Sequence, residues 1–316
     1  MENGNFSQPS ILTLSFGDLT SMRYLYCVIV VFGYAVTLIF NGIVITTIKL
    51  NRTLHKPMYI FISALCFNGF YGSSSFLPSL FVNLLRKTQT ISYTFCLAQL
   101  FCIHTYGSIE MSILAVMGYD RYVCICNPLR YNSIMTLSTV FKLILGAYLQ
   151  PILLFGAHFI LTIRLPLCSS EILKIYCDNW SVVRLSCIDT TLNNIFGIFV
   201  ASITLAVIPL FTFFTYVQIF RVCVKSSTEV RDKAIQTCSP HLISLVSFIT
   251  DALFEILLYR FVPDKLPYEL RVIMSLQILV VPPLLNPFLY GVRMKEIRTK
   301  IVELFRNSLK DKSLLV

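Results

Sequence analysis

Few side chains in this sequence carry charge, and those set inside its apolar runs bear most directly on chemistry. In "MGYDRYVCIC", Asp120 and Arg121 are adjacent at the end of such a run, between Tyr119 and Tyr122. A carboxylate can hold a guanidinium by a charge-assisted bond and give it up to another partner, which is what a two-state switch requires. Glu110 lies earlier in the same run; deep in an apolar helix it must be protonated, ion-bound or hydrogen-bonded. Asp251 and Glu255 are four residues apart, so a helix puts both on one face, and Arg260 follows near that helix's end. His104 stands about one turn from Ser108 on the Glu110 run. Polar groups scattered on apolar helices suit binding in a pocket between helices. Catalysis is disfavoured, since no nucleophile–base pair accompanies them. Cys124 and Cys126 have no further Cys or His at ligand spacing nearby, which argues against a metal there.

The elements that must position these groups follow from composition. The 316 residues are 56% hydrophobic and 13% charged, against about 25% charged in a soluble domain. Seven stretches reach the roughly 20 apolar residues that cross a bilayer: Tyr24–Ile48, Pro57–Leu85, Thr88–Tyr119, Leu143–Ile163, Thr190–Phe220, Ala234–Tyr259 and Val272–Val292. The expected fold is an all-α membrane protein, a seven-helix transmembrane bundle over residues 24–292. With the N-terminus outside, the inner segments hold 17 of the 26 Lys and Arg, as the positive-inside rule requires. The net charge of +10 is therefore topological, and nucleic acid is not an expected partner because no basic soluble surface exists.

Residues 1–23 read as an extracellular tail whose start, "MENGNFSQPS", lacks a basic and apolar leader, so the first span is expected to serve as an uncleaved anchor. Asn5-Phe6-Ser7 is a glycosylation sequon on that side. Residues 293–316 read as a cytoplasmic tail. In it Ile297, Ile301, Leu304 and Phe305 recur at helical spacing among Lys295, Arg298, Lys300 and Arg306, an amphipathic helix suited to the anionic lipid surface. Four of the eleven cysteines, Cys96, Cys168, Cys177 and Cys187, fall on the outer side, where they can oxidise in any of three pairings. Prolines interrupt several spans, and "PPLLNPFLY" adds Asn286 and Tyr290 as polar groups on the last one.

These pieces together resemble a known family. "GYDRYVCICNPLRY" is similar to the "MAYDRYVAIC.PL.Y" signature of olfactory receptors, within the rhodopsin-like G-protein-coupled receptors. Asn41-Gly42, "LHKPMY" at 54–59, "SIEM" at 108–111, "KAIQTCSPHL" at 233–242 and "PPLLNPFLYGVRMKEIR" at 282–298 agree in order, from first span to tail. The resemblance implies an odorant receptor in the cell membrane, in olfactory neuron cilia, with no cofactor. It implies a heterotrimeric G protein of the stimulatory, olfactory type as partner, raising cyclic AMP. It pairs Cys96 with Cys177 and Cys168 with Cys187. It makes Arg121 the switch facing the G protein, restrained by Asp120 beside Tyr122 and released toward Tyr216 and Tyr290, with Asn286 and Pro287 in the same apparatus. Its ligand contacts map to His104, Gly107, Ser108, Thr204, Asp251, Glu255, Ile256 and Arg260. Two chemistries are open for a small water-soluble odorant: a carboxylate clamped by Arg260, or an amine drawn to Asp251 and Glu255. The sequence departs from the family in span two, where "LCFNGFYG" has Asn68-Gly69 and no acid; this removes the expected partner of a sodium ion at Glu110.

Overall fold

The computed structural model describes residues 9–17, 22–261 and 268–313, the side chains of Lys233, 255–261, 268–271, 274–275 and 307–313 excepted. The Asn5 sequon lies outside that description. Seven long helices form the bundle: α1 (Arg23–Leu50), α2 (Pro57–Leu85), α3 (Tyr93–Cys126), α4 (Leu137–Ile163), α5 (Thr191–Val224), α6 (Thr228–Phe261) and α7 (Tyr268–Arg293). An eighth, α8 (Lys295–Ser313), follows at once. Six of the seven are long and apolar enough to cross a membrane over the described residues. The remaining one, α7, has 26 residues and packs against α1, α2 and α6.

Local sequence sets these boundaries. Pro57 opens α2 at a position where its missing N–H costs nothing. Ser92 caps α3 by accepting from the Phe95 amide at 3.3 Å, and Thr136 caps α4 from Thr139 at the same distance. Helix α5 widens into a π turn over Ile203–Val207 and resumes with Pro209 in its first turn. In α7, Pro287 has no N–H for the Pro283 carbonyl one turn back. The Asn41 amide of α1 supplies the missing bond at 2.8 Å, a contact between helices created by a proline.

The helix ends differ from the sequence expectation where short strands intervene. Helix α3 starts at Tyr93, because Thr90–Ser92 form strand β2, and it runs on through Cys126. The tail contributes strand β1 (Ile11–Leu14), central in a three-stranded sheet with β2 and with β3 (Glu171–Ile172). Leu12 pairs antiparallel with Ile91, and Leu14 pairs parallel with Ile172. Alternation along β1 turns Leu12 and Leu14 inward, while Ile11 and Thr13 stay exposed. This sheet defines the upper face of the bundle. Leu12, Leu14 and Phe16 join the upper core with Ile172, Tyr176 and the disulfide Cys96–Cys177. The second disulfide, Cys168–Cys187, closes the loop between α4 and α5. Both pairings agree with those the family resemblance implies. The lower core gathers Leu54, Phe61, Met111, Leu114, Tyr290 and, from α8, the fully buried Ile297. An exposed ion pair, Lys56 to Glu296 at 3.1 Å, joins α8 to the α1–α2 turn. Burial pushes the Glu296 carboxyl up, but Tyr59 and Lys56 outweigh it and hold the group below its usual range.

Candidate functional site: a cavity, a central carboxylate and a lower latch

Three polar constellations lie along α3. The uppermost borders a cavity of about 220 Å³. His104, Gly107 and Ser108 of α3 line it together with Thr204, which the π turn of α5 carries. His104 Nδ1 donates to the Leu100 carbonyl at 2.9 Å, which leaves Nε2 as an acceptor, and its ring stacks on Phe155 at 4.6 Å. Gly107 faces Phe248 of α6 with room to spare, since an added Cβ would make only ordinary contact at 3.7 Å.

Asp251 does not join this wall. It is buried, and it accepts from Gln277 of α7 at 2.5 Å, while its neighbour Ala252 lines the cavity. The side chains of Glu255, Ile256 and Arg260 lie outside the described residues.

The cavity's charged wall comes instead from the α4–α5 loop, which sequence reasoning passed over. Lys174 Nζ and Asp178 Oδ2 are 2.8 Å apart, and both residues line the cavity. Burial pushes the Asp178 carboxyl up, but Lys174 more than offsets it and holds the group below the usual carboxylate range. Asp178 Oδ1 also accepts from the Ser181 amide at 2.9 Å, capping the helical turn Asn179–Val183. Beneath the pair, His158 of α4 donates from Nε2 to the Asn193 carbonyl of α5 at 3.2 Å, and Thr162 donates to Asn179 at 2.8 Å. One signal in the sequence pointed here. Asp178 follows Cys177, and any bond from Cys177 to the head of α3 sets its neighbour over the helix.

Midway down, the fully buried Glu110 accepts from Asn68 of α2 at 2.7 Å and from Asn286 of α7 at 2.5 Å, one amide on each oxygen. The carboxylate thus ties three helices together through neutral donors.

At the lower end, Arg121 donates to Asp120 Oδ2 from Nε at 3.0 Å and Nη2 at 2.5 Å, while Tyr131 donates to Oδ1 at 2.8 Å. Asp120 is wholly buried. Burial, then the adjacent carboxylate, drives the Tyr131 phenol far above its ordinary range, so it serves only as a donor. Tyr216 is not engaged with Arg121. Its hydroxyl donates to His241 Nδ1, and His241 Nε2 donates to the Leu114 carbonyl at 2.8 Å. His241, inside "KAIQTCSPHL", thereby joins α3, α5 and α6, a role its place in the sequence did not disclose. Tyr290 is fully buried in the lower core, and Tyr122 and Tyr216 both pack against the α5–α6 cluster of Ile219, Cys223, Ala234 and Cys238. Pro287 makes its contribution through the backbone, by leaving the Pro283 carbonyl to Asn41.

Comparison with known proteins accords with this arrangement. A family model described as olfactory receptor matches residues 27–308. The human olfactory receptor 51I2 is 36% identical over 87% of this chain and 88% of its own length. The human olfactory receptor 52D1 is 32% identical over 86% of each chain. The human olfactory receptor 51I1 is 32% identical over 97% of this chain and 98% of its own length.

Proposed function

The chain belongs to the olfactory receptor family, multi-pass membrane receptors rather than enzymes, and we propose that it detects a small water-soluble odorant in the upper cavity. Binding there activates a stimulatory, olfactory-type heterotrimeric G protein at the lower face and raises cyclic AMP. In this reading the N-terminus is extracellular, α8 lies on the inner leaflet, residues 24–292 are the receptor domain, and the protein works in the cilia of olfactory neurons.

The observation that carries the reading is the latch around Asp120. Arg121 is held by its neighbour, and Tyr131 occupies the other carboxylate oxygen. The same helix carries His104 in the cavity wall. A shift of α3 against α5 and α6 that loosens the Tyr216–His241 bond would give Arg121 a second partner, and two discrete arrangements make a switch. Glu110 needs no cation in this scheme, because two amide donors already satisfy its oxygens.

Arg121→Ala is expected to abolish the ligand-evoked cyclic AMP signal while surface delivery, read by flow cytometry on an N-terminal tag, stays largely intact. Signalling that survives the substitution would overturn the latch.

A further inference from the structure

We propose that the cavity recognises a zwitterion, an α-amino acid with an apolar side chain, through the Lys174–Asp178 pair in its wall. The proposal rests on the cavity being the ligand site. The pair is a built feature. Its nitrogen and oxygen are 2.8 Å apart, with the two side chains only 3% and 14% exposed. Asp178 is oriented by the Ser181 amide on its other oxygen, and the Tyr176 ring lies 5.1 Å from Lys174 Nζ. Cys177, between these residues, is bonded to Cys96 near the start of α3.

Such a pair discriminates between ligand charges. A ligand with a single charge meets one attractive and one repulsive partner, and it brings an uncompensated charge against a largely buried pair. An uncharged ligand leaves the pair's field unused. A zwitterion laid antiparallel to the pair puts its carboxylate against Lys174 and its ammonium against Asp178. Each of the four charges then has two opposite neighbours, and the net charge stays zero.

Reach selects the α-amino acid. One carbon separates its charged groups, a spacing that matches a pair in direct contact, whereas a longer chain between the charges would span past it. Phe155, Val200, Phe248 and Leu279 make an apolar part of the wall that would receive the side chain. A cavity of about 220 Å³ lies below the roughly 300–1,000 Å³ of typical small-molecule pockets, so the ligand is small.

The test displays the full chain on cells with an olfactory-type G protein and a cyclic AMP reporter. The probes share leucine's isobutyl group: L-leucine, 4-methylpentanoate, 3-methylbutylamine and 4-methylpentanol. Leucine is expected to activate, and each analogue to be about a hundredfold weaker or worse, the cost of leaving a buried polar group unpaired. Lys174→Met and Asp178→Asn should each weaken the leucine response about a hundredfold as well. Asparagine keeps the helix cap, and Lys174→Arg, which keeps the charge, should restore the response. Surface level is read in parallel. An analogue as potent as leucine, silence to leucine, or a leucine response that Lys174→Met and Asp178→Asn leave unchanged would each overturn the zwitterion. The receptor reading stands in those cases if any other odorant raises cyclic AMP; it fails only if the displayed chain answers nothing in a broad odorant library.

Discussion

At the scale of single residues, Glu110 shows how a neighbour decides what a buried charge can hold. With Asn68 and Asn286 each presenting an N–H to one oxygen, the carboxylate is satisfied without a cation. Asn68→Asp would replace a donor with a second acid at hydrogen-bond distance, and two carboxylates that close require a shared proton or a bridging cation. Ligand potency of the unaltered chain is therefore expected to be the same in sodium and in N-methylglucamine buffers. The Asn68→Asp variant should become sodium-dependent by about fivefold or more, a typical coupling between two bound species. Equal potency of the variant in both buffers would show that no cation site had formed. Glu110 itself was visible in the sequence, because an acid in an apolar run always is. Spacing alone did not give its partners, since Asn68 and Asn286 lie 42 and 176 residues away; family resemblance marked the place of Asn68, and only the packing of α7 brings in Asn286.

At the scale of elements, α2 and α3 approach tightly at Gly72. An added Cβ at Gly72 would fall within the ring of Tyr106, at a separation no real Cβ tolerates. Tyr106 has little freedom to yield. It is buried, and its carbonyl takes a bond from Asn68 at 3.1 Å. Gly72→Ala is expected to destabilise the protein by about 1–3 kcal/mol, the usual range for overpacking. A lowered Tm of the detergent-purified receptor would register it, and an unchanged Tm would mean that the helices can move apart at no cost. The helices themselves were legible in the sequence, since hydropathy is a local signal. The π turn under Thr204 was not, nor was the Asn41–Pro283 bond. The first depends on how α5 continues into Pro209, and the second joins residues 242 apart.

For the whole molecule, the upper face holds together through bonds between distant segments. Cys96–Cys177 closes a loop of 81 residues and fixes the α4–α5 segment over the cavity. Gln99 adds a bond to the Cys177 amide at 2.9 Å. Cys177→Ser is expected to cost about 2–5 kcal/mol and to lower surface delivery, measured by flow cytometry against total receptor. Delivery equal to that of the unaltered chain would show that the sheet alone holds the loop. Here the residues pointed the right way only in part. The outer cysteines could be read as oxidised, but their pairing came from family resemblance, and the charged pair beside Cys177 emerged only with the fold. Of the ligand set read from α6, Asp251 turns to Gln277 rather than to the cavity, and the side chains of Glu255, Ile256 and Arg260 lie outside the described residues.

Strand β1 has a consequence for biosynthesis. Thr13 is paired with a segment 157 residues further along the chain, which at about 5–20 residues per second is made roughly 10–30 s later. Both of its edges are open until β2 is made and one stays open until β3 follows, with Leu12, Leu14 and Phe16 uncovered meanwhile. Unpaired strand edges invite association with other chains. Receptor yield should therefore depend on how well the nascent tail is shielded during synthesis, and an accessory factor able to cover a short apolar strand would act on this segment first.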